Sequence, residues 1–291
     1  MPWRQVLVML LELAAADGFG FAFEMHSAAF VKKHNSIAKY IAKRSSKTNY
    51  TDDTQMTLGI AEALLESDEW TPLFVAEKFV RAFRRDPQRG YARGFKALLK
   101  SVHDGQELLD AIVPFSERNG AAMRACPIGL LPSIGEILRK CRIQSAVTHN
   151  TVAGMESGMA ASLLTHFFAY KLGKRDEAGD FVASFVHGPW TEPWEGKVGC
   201  NGTETVQAAI TAIMASKTLC KVIENSVAFT GDTDSVATVA MGAAFHCDEI
   251  EDDLPQALLD GLEDGMYGKD YLSALDIELE AKFGIKCGRR K

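Results

Sequence analysis

Apolar positions along the chain recur at intervals of three and four residues. Met56, Ile60, Ala63 and Leu64 fall on one helical face, as do Leu73, Ala76, Phe79, Val80 and Phe83. Ala160, Leu163, Leu164, Phe167 and Phe168 make a third stripe, and Val206, Ala209, Ile210 and Ile213 a fourth. The small-residue run over 236–244 suits a helix packed closely against its neighbours. Alternating runs bounded by Asn-Gly or Asp-Gly turns, the signature of strands, are nearly absent, and no fixed-period repeat or low-complexity tract interrupts the pattern. The pattern predicts an all-α fold, one domain over residues 1–291 with about ten or more helices of ordinary length. Three polar or Pro/Gly-rich segments read as loops: 44–50, 85–94 (with Pro87, Gly90 and Gly94) and 187–202. Each adjoins candidate chemistry. The acidic run 248–253 reads as a solvated linker before a last helical pair.

Composition narrows the class. Apolar residues make up 47% and charged residues 24% of 291, the profile of an ordinary globular protein. A net charge of -6 argues against non-specific nucleic-acid binding. The longest aliphatic run, 6–11, stops at Glu12 and is too short to span a bilayer. With Arg4 before it and Ala14, Ala15 and Ala16 after it, the run faintly imitates a signal peptide, a reading that Glu12 argues against. The cysteines (Cys126, Cys141, Cys200, Cys220, Cys247, Cys287) form no CxxC pair. Reduced thiols in a cytoplasmic protein, mostly small core residues, fit better than disulfides or a zinc cluster.

Two acidic motifs stand out. Thr51-Asp52-Asp53-Thr54 precedes a helix expected to begin near Gln55, and Gly231-Asp232-Thr233-Asp234-Ser235 one expected near Val236. Asp, Thr and Ser are favoured N-caps, yet one such residue suffices for a cap. Inside a helix, residues i and i+2 point about 200° apart, so Asp232 and Asp234 converge only at an irregular helix start. Four clustered carboxylates raise one another's proton affinity unless a cation separates them, and helix N-termini relieve only about 0.3–1 kcal/mol each. Carboxylates and hydroxyls are hard donors that select magnesium or manganese over zinc or copper. Pattern alone leaves capping and metal binding both open.

Together these residues resemble the ADP-ribosylglycohydrolase family over about residues 11–245. Both acidic motifs are similar to the family's two metal motifs, in the same order. Residues 17–24 resemble its opening motif, Arg89-Gly90-Tyr91 its Gly-rich phosphate loop, Asn119-Gly120-Ala121-Ala122-Met123-Arg124 its segment beside ADP-ribose, and Thr148-His149 its Thr-His pair. The resemblance implies an orthogonal helical bundle with two adjacent divalent ions, Mg2+ or Mn2+, in a central cleft. Thr51, Asp52, Asp53, Asp232, Asp234 and Ser235 would be the ligands. Gly90, Tyr91, Asn119, Gly120 and His149 would line the ADP-ribose channel, and Glu24 would stand at the metal edge. Ser235 replaces the family's Thr and keeps its hydroxyl; Ala16 replaces a Gly; Ala92 and Arg93 stand where relatives often have Gly. Beyond Phe245 the likeness fades.

The implied activity is hydrolysis of the bond joining ADP-ribose to a modified target, with a metal-activated water and Glu24 or Asp53 as the proton-transferring carboxylate. The expected partner is an ADP-ribosylated protein or another ADP-ribose derivative, with no membrane or nucleic acid, and the chain a monomer. Alternatives are hydrolysis of O-acetyl-ADP-ribose or ADP-ribosylated nucleic acid, and a catalytically silent ADP-ribose-binding protein. His26 is a second candidate for the cleft. Trp190 and Trp194 suit loop anchoring better than adenine stacking, and Arg124 either a phosphate contact or helix pairing.

Overall fold

The computed structural model describes residues 9–44 and 46–285. Arg4, the segment 6–8 of the aliphatic run and Cys287 lie outside the described residues. The first half of the chain forms α1 (Leu10–Phe21), α2 (Ala28–His34), α3 (Ile37–Lys43), α4 (Asp52–Glu66), α5 (Pro72–Arg85), α6 (Arg93–Ser101), α7 (Gly105–Ala111) and α8 (Gly120–Met123). The second half forms α9 (Ile134–Ala146), α10 (Val152–Ala169), α11 (Ala178–Ala183), α12 (Gly202–Met214), α13 (Leu219–Ala228), α14 (Thr233–Ala244), α15 (Gln256–Leu259) and α16 (Lys269–Phe283). Among the described residues there is no sheet, only isolated bridges between loops. No helix among them is long and apolar enough to cross a membrane.

Each apolar stripe occupies a single helix: α4, α5, α10, α12 and α14 in turn. Leu73 departs from its stripe and is 44% exposed, because it sits in the first turn of α5 at the surface. Helix starts follow ordinary capping chemistry. Thr71 accepts from the Phe74 amide with Pro72 just inside α5, and Ser133, Thr151 and Thr218 cap α9, α10 and α13 in the same way. Both acidic-motif helices begin earlier than the sequence predicts, α4 at Asp52 and α14 at Thr233, so Asp52, Asp53 and Asp234 lie within the first turn and Asp232 at the N-cap.

α1 and α14 form the centre. Almost every residue of each is buried, and α1 packs along α14. They approach closely at Gly20, where a Cβ would come within 2.6 Å of the Asp234 Cα, so the contact admits only hydrogen at that position. α1 has no cap of its own. Instead Asp276, fully buried on α16, accepts from the Met9 and Leu10 amides at 3.1–3.2 Å. α4 lies across this pair, and the N-terminal ends of α4 and α14 meet beside the end of α1.

Candidate metal centre and cleft

At the start of α4, Thr51 is extended and its hydroxyl caps the helix by accepting from the Asp53 amide at 3.2 Å. Asp17, on α1, completes the arrangement: one carboxylate oxygen accepts from the Thr51 amide (2.8 Å), the Thr54 amide (3.2 Å) and the Thr54 hydroxyl (2.5 Å). Asp52 and Asp53 are thereby left without a capping role. At the start of α14 the N-cap position is Asp232, and its side chain makes no capping hydrogen bond. It accepts instead from the Asn119 amide nitrogen at 3.2 Å. Capping therefore does not account for the second acid in either motif.

Loops hold these ends in place through single bridges. Four of the six isolated bridges bind site loops: Thr51 to Arg89, Phe115 to His149, Arg118 to Asn201, and Val198 to Gly231. Thr230 and Gly231 are both left-handed (φ 63° and 88°), and a Cβ on Gly231 would sit 1.9 Å from the Val198 carbonyl. The Met25 amide, also at a left-handed residue, donates to the Gly231 carbonyl at 2.9 Å and so ties Glu24 to the second motif.

The result is a cluster of acids from three distant segments. One carboxylate oxygen each from Glu24, Asp232 and Asp234 lies within 4.8 Å of the others. Asp52 and Asp53 stand beside them, and Ser235 is in reach of Asp53. Burial, followed by the charges of neighbouring acids, pushes Asp52, Asp53 and Asp234 well above the usual carboxylate range. Asp17 is raised chiefly by burial, and Glu24, about half buried, by burial and then by Asp232 and Asp17. Asp17 Oδ1, Asp53 Oδ2 and Asp234 Oδ1 are buried without a hydrogen-bond partner. Orphaned carboxylate oxygens in a buried cluster of acids fit a hard divalent cation.

The acids form one wall of a cleft of ≈ 400 Å³, within the range of small-molecule sites. Phe95, Leu98, Ile112 and Val113 give it an apolar side, and Arg118 stands exposed among the lining residues. Gly90, Asn119, Gly120 and His149 line the cleft. Gly90 is left-handed (φ 94°), and its Cα approaches Asp52 so closely that a Cβ would overlap the carboxylate. Tyr91 and Thr51 are not among the lining residues. Tyr91 is buried behind the wall, its hydroxyl donating to Gln55 at 2.7 Å and its ring edge-on to Phe83. Trp190 anchors its loop by donating to the Val186 carbonyl, and His26 stacks on Phe30 at the surface. Arg124 pairs with α9 through Gln144 and also lines the cleft.

Sequence reasoning missed two residues. Asp17 begins the segment that resembles the opening motif, but the motif gives it no role of its own. Cys200 lines the cleft, and burial together with its contact to Asp232 pushes its thiol up to about 12. A lone cysteine in a loop carries no signal of that neighbour.

An all-helical protein with a carboxylate-walled cleft able to hold a metal ion is the class that fold and site define. The chain belongs to the ADP-ribosylglycohydrolase family, whose model matches residues 4–286. A solved chain from an ADP-ribosylglycohydrolase-related protein complex shares the fold, with a TM-score of 0.66 at 19% identity over 94% of this chain and 95% of that one. ADP-ribosylhydrolase ARH3 of Xenopus tropicalis is 31% identical over 170 residues, 54% of this chain and 48% of the relative. Human ARH3 is 26% identical over 134 residues, 43% and 37% respectively. The matches thus span about half or less of these curated relatives.

Proposed function

We propose that the chain hydrolyses the glycosidic bond between ADP-ribose and a modified target, in the first place a protein side chain, in a divalent-metal-dependent reaction. The observation that carries this reading is the meeting of Glu24, Asp232 and Asp234 within 4.8 Å, beside Asp52 and Asp53, without capping duties to explain them. Thr51, Asp52, Asp53, Asp232, Asp234 and Ser235 would hold two ions, Mg2+ or Mn2+, through oxygen donors only. Such ions, when bound, make water nucleophilic near neutral pH and stabilise charge on ribose oxygens.

The chain's own groups divide the remaining work. Cleavage develops oxocarbenium character on the ribose and negative charge on the leaving atom, which needs a proton. Glu24 is the better placed of the two candidate carboxylates to give it: it lines the cleft, is partly exposed, and holds its proton more tightly than an ordinary glutamate. Asp53 is almost fully buried among the acids and suits holding a cation. Gly90, Asn119, Gly120 and His149 would contact the ADP-ribose, with Tyr91 bracing the wall behind Gly90, and the apolar side would cover the adenine. Five free cysteines among the described residues suit a reducing compartment such as the cytoplasm.

Release of ADP-ribose from Arg-linked and Ser-linked protein, followed by mass spectrometry with and without EDTA, tests the proposal. Turnover on one linkage, abolished by EDTA and absent from an Asp232→Ala/Asp234→Ala variant, is expected. Full activity in either condition would remove the metal-dependent mechanism.

A further inference from the structure

Arg124 caps the C-terminal end of α8 and is 1% exposed, its guanidinium lying over the Phe79 ring at 4.2 Å. Its Nε donates to Gln144 Oε1 (2.6 Å), and one Nη donates to both the Gln144 carbonyl (3.0 Å) and the Thr148 hydroxyl (2.7 Å). A guanidinium has no acceptor, so the Thr148 oxygen must accept here. That hydroxyl has one proton left to place. Among the described residues its other hydrogen-bond neighbour is His149 Nδ1, at 2.6 Å. If Nδ1 were the protonated nitrogen, it and Arg124 would both donate to Thr148, and the hydroxyl proton would have no protein acceptor at a site only 5% exposed. The arrangement that uses every proton has Thr148 donating to Nδ1. A neutral imidazole then carries its own proton on Nε2. Nε2 lies beside Gly120, where a Cβ would stand 3.0 Å from it, on the lining of the cleft.

We propose that Arg124, acting through Thr148, fixes His149 in the Nε2–H tautomer, so that the ring presents a permanent hydrogen-bond donor to the cleft and takes no part in proton transfer. Arg124 and Thr148 are positioning residues, and the atom His149 recognises is an unprotonated oxygen of the ligand. With the function proposed above, on which this ligand assignment rests, that oxygen belongs to the ADP-ribose moiety. Burial, with Arg124 and Arg118 nearby, pushes the imidazole down to about 3, so it stays neutral throughout the working range. Gly120 fits the same design, because any side chain there would cover the donating nitrogen.

Long-range proton–nitrogen spectra of 15N-histidine-labelled protein read the tautomer directly, with a His149→Gln variant assigning the signal. Between pH 5 and 9 the free protein should show an unprotonated Nδ1 and a protonated Nε2 that do not titrate. A protonated Nδ1, or titration within that range, would overturn the proposal. Thr148→Val should unlock the tautomer and weaken ADP-ribose binding roughly three- to tenfold, the size of one lost hydrogen bond. Thr148→Ser should restore both, and an unchanged tautomer in Thr148→Val contradicts the relay. Wild-type protein that keeps the Nε2–H form yet binds no ADP-ribose would uphold the relay and sink the functional reading, so the two failures are distinguishable.

Discussion

At the scale of single residues, six carboxylates crowd together: Glu24, Asp52, Asp53, Asp232 and Asp234 line one end of the cleft, and Asp17 is buried against them. Burial raises the proton affinity of Asp52, Asp53 and Asp234 far above the ordinary 3.8. A carboxylate raised in the folded state favours folding while protonated; that contribution is complete below about pH 4 and is lost as pH rises through the raised value. In the absence of divalent ions the melting temperature should therefore be lower at pH 8 than at pH 5. Mg2+ or Mn2+ should raise it more at pH 8, and an Asp232→Ala/Asp234→Ala variant should lose that ion-dependent rise. Calorimetry at the two pH values checks this. Asp17 makes a separate case, since it holds Thr51 and Thr54 and does not line the cleft. Asp17→Asn should weaken metal binding by about 10- to 100-fold, as loss of a supporting partner does, measurable by titration calorimetry. The adjacent acids of both motifs were legible because two carboxylates at a helix start exceed what capping needs. The role of Asp17 was not, because its partners lie 34 to 37 residues away.

Helices set where those residues meet. The periodic stripes made the helices themselves legible, since a face buried along its length must repeat every three or four positions. Less legible were α1 and α14, which are buried nearly all round and therefore carry little periodicity. Their contact depends on Gly20, and Gly20→Ala places a methyl 2.6 Å from the Asp234 Cα. The start of α14 must then move away from α1, so metal affinity should fall along with stability. Asp276 acts far from the cleft, binding the first amides of α1 from α16. Asp276→Ala should cost about 1–3 kcal/mol, the penalty for buried amides left unpaired, and lower the melting temperature by several degrees. Metal affinity at low temperature should be unchanged. A variant that melts like the wild type would show that α16 does not secure α1. Gly20→Ala and Asp276→Ala thus separate an element that shapes the site from one that only supports it.

For the molecule as a whole, the long-range arrangement is what sequence could not supply. Residue 24 meets residues 232 and 234 because left-handed Met25 donates to the Gly231 carbonyl, and the 198–201 loop is pinned to both sides of the cleft. Single bridges between irregular segments leave no periodic mark in a sequence, whereas the family motifs do. Tyr91 shows the limit of motif reasoning, since its neighbour Gly90 reaches the cleft while its own ring turns into the core. The proposed hydrolysis depends on the acids from α4 and α14 gathering divalent cations between them. Crystals grown with Mn2+ and measured at the manganese absorption edge locate such ions without reference to activity. Anomalous peaks bounded by Asp52, Asp53, Asp232 and Asp234 are the expected result. An empty cluster at saturating Mn2+, in protein that still turns over in EDTA, would contradict it.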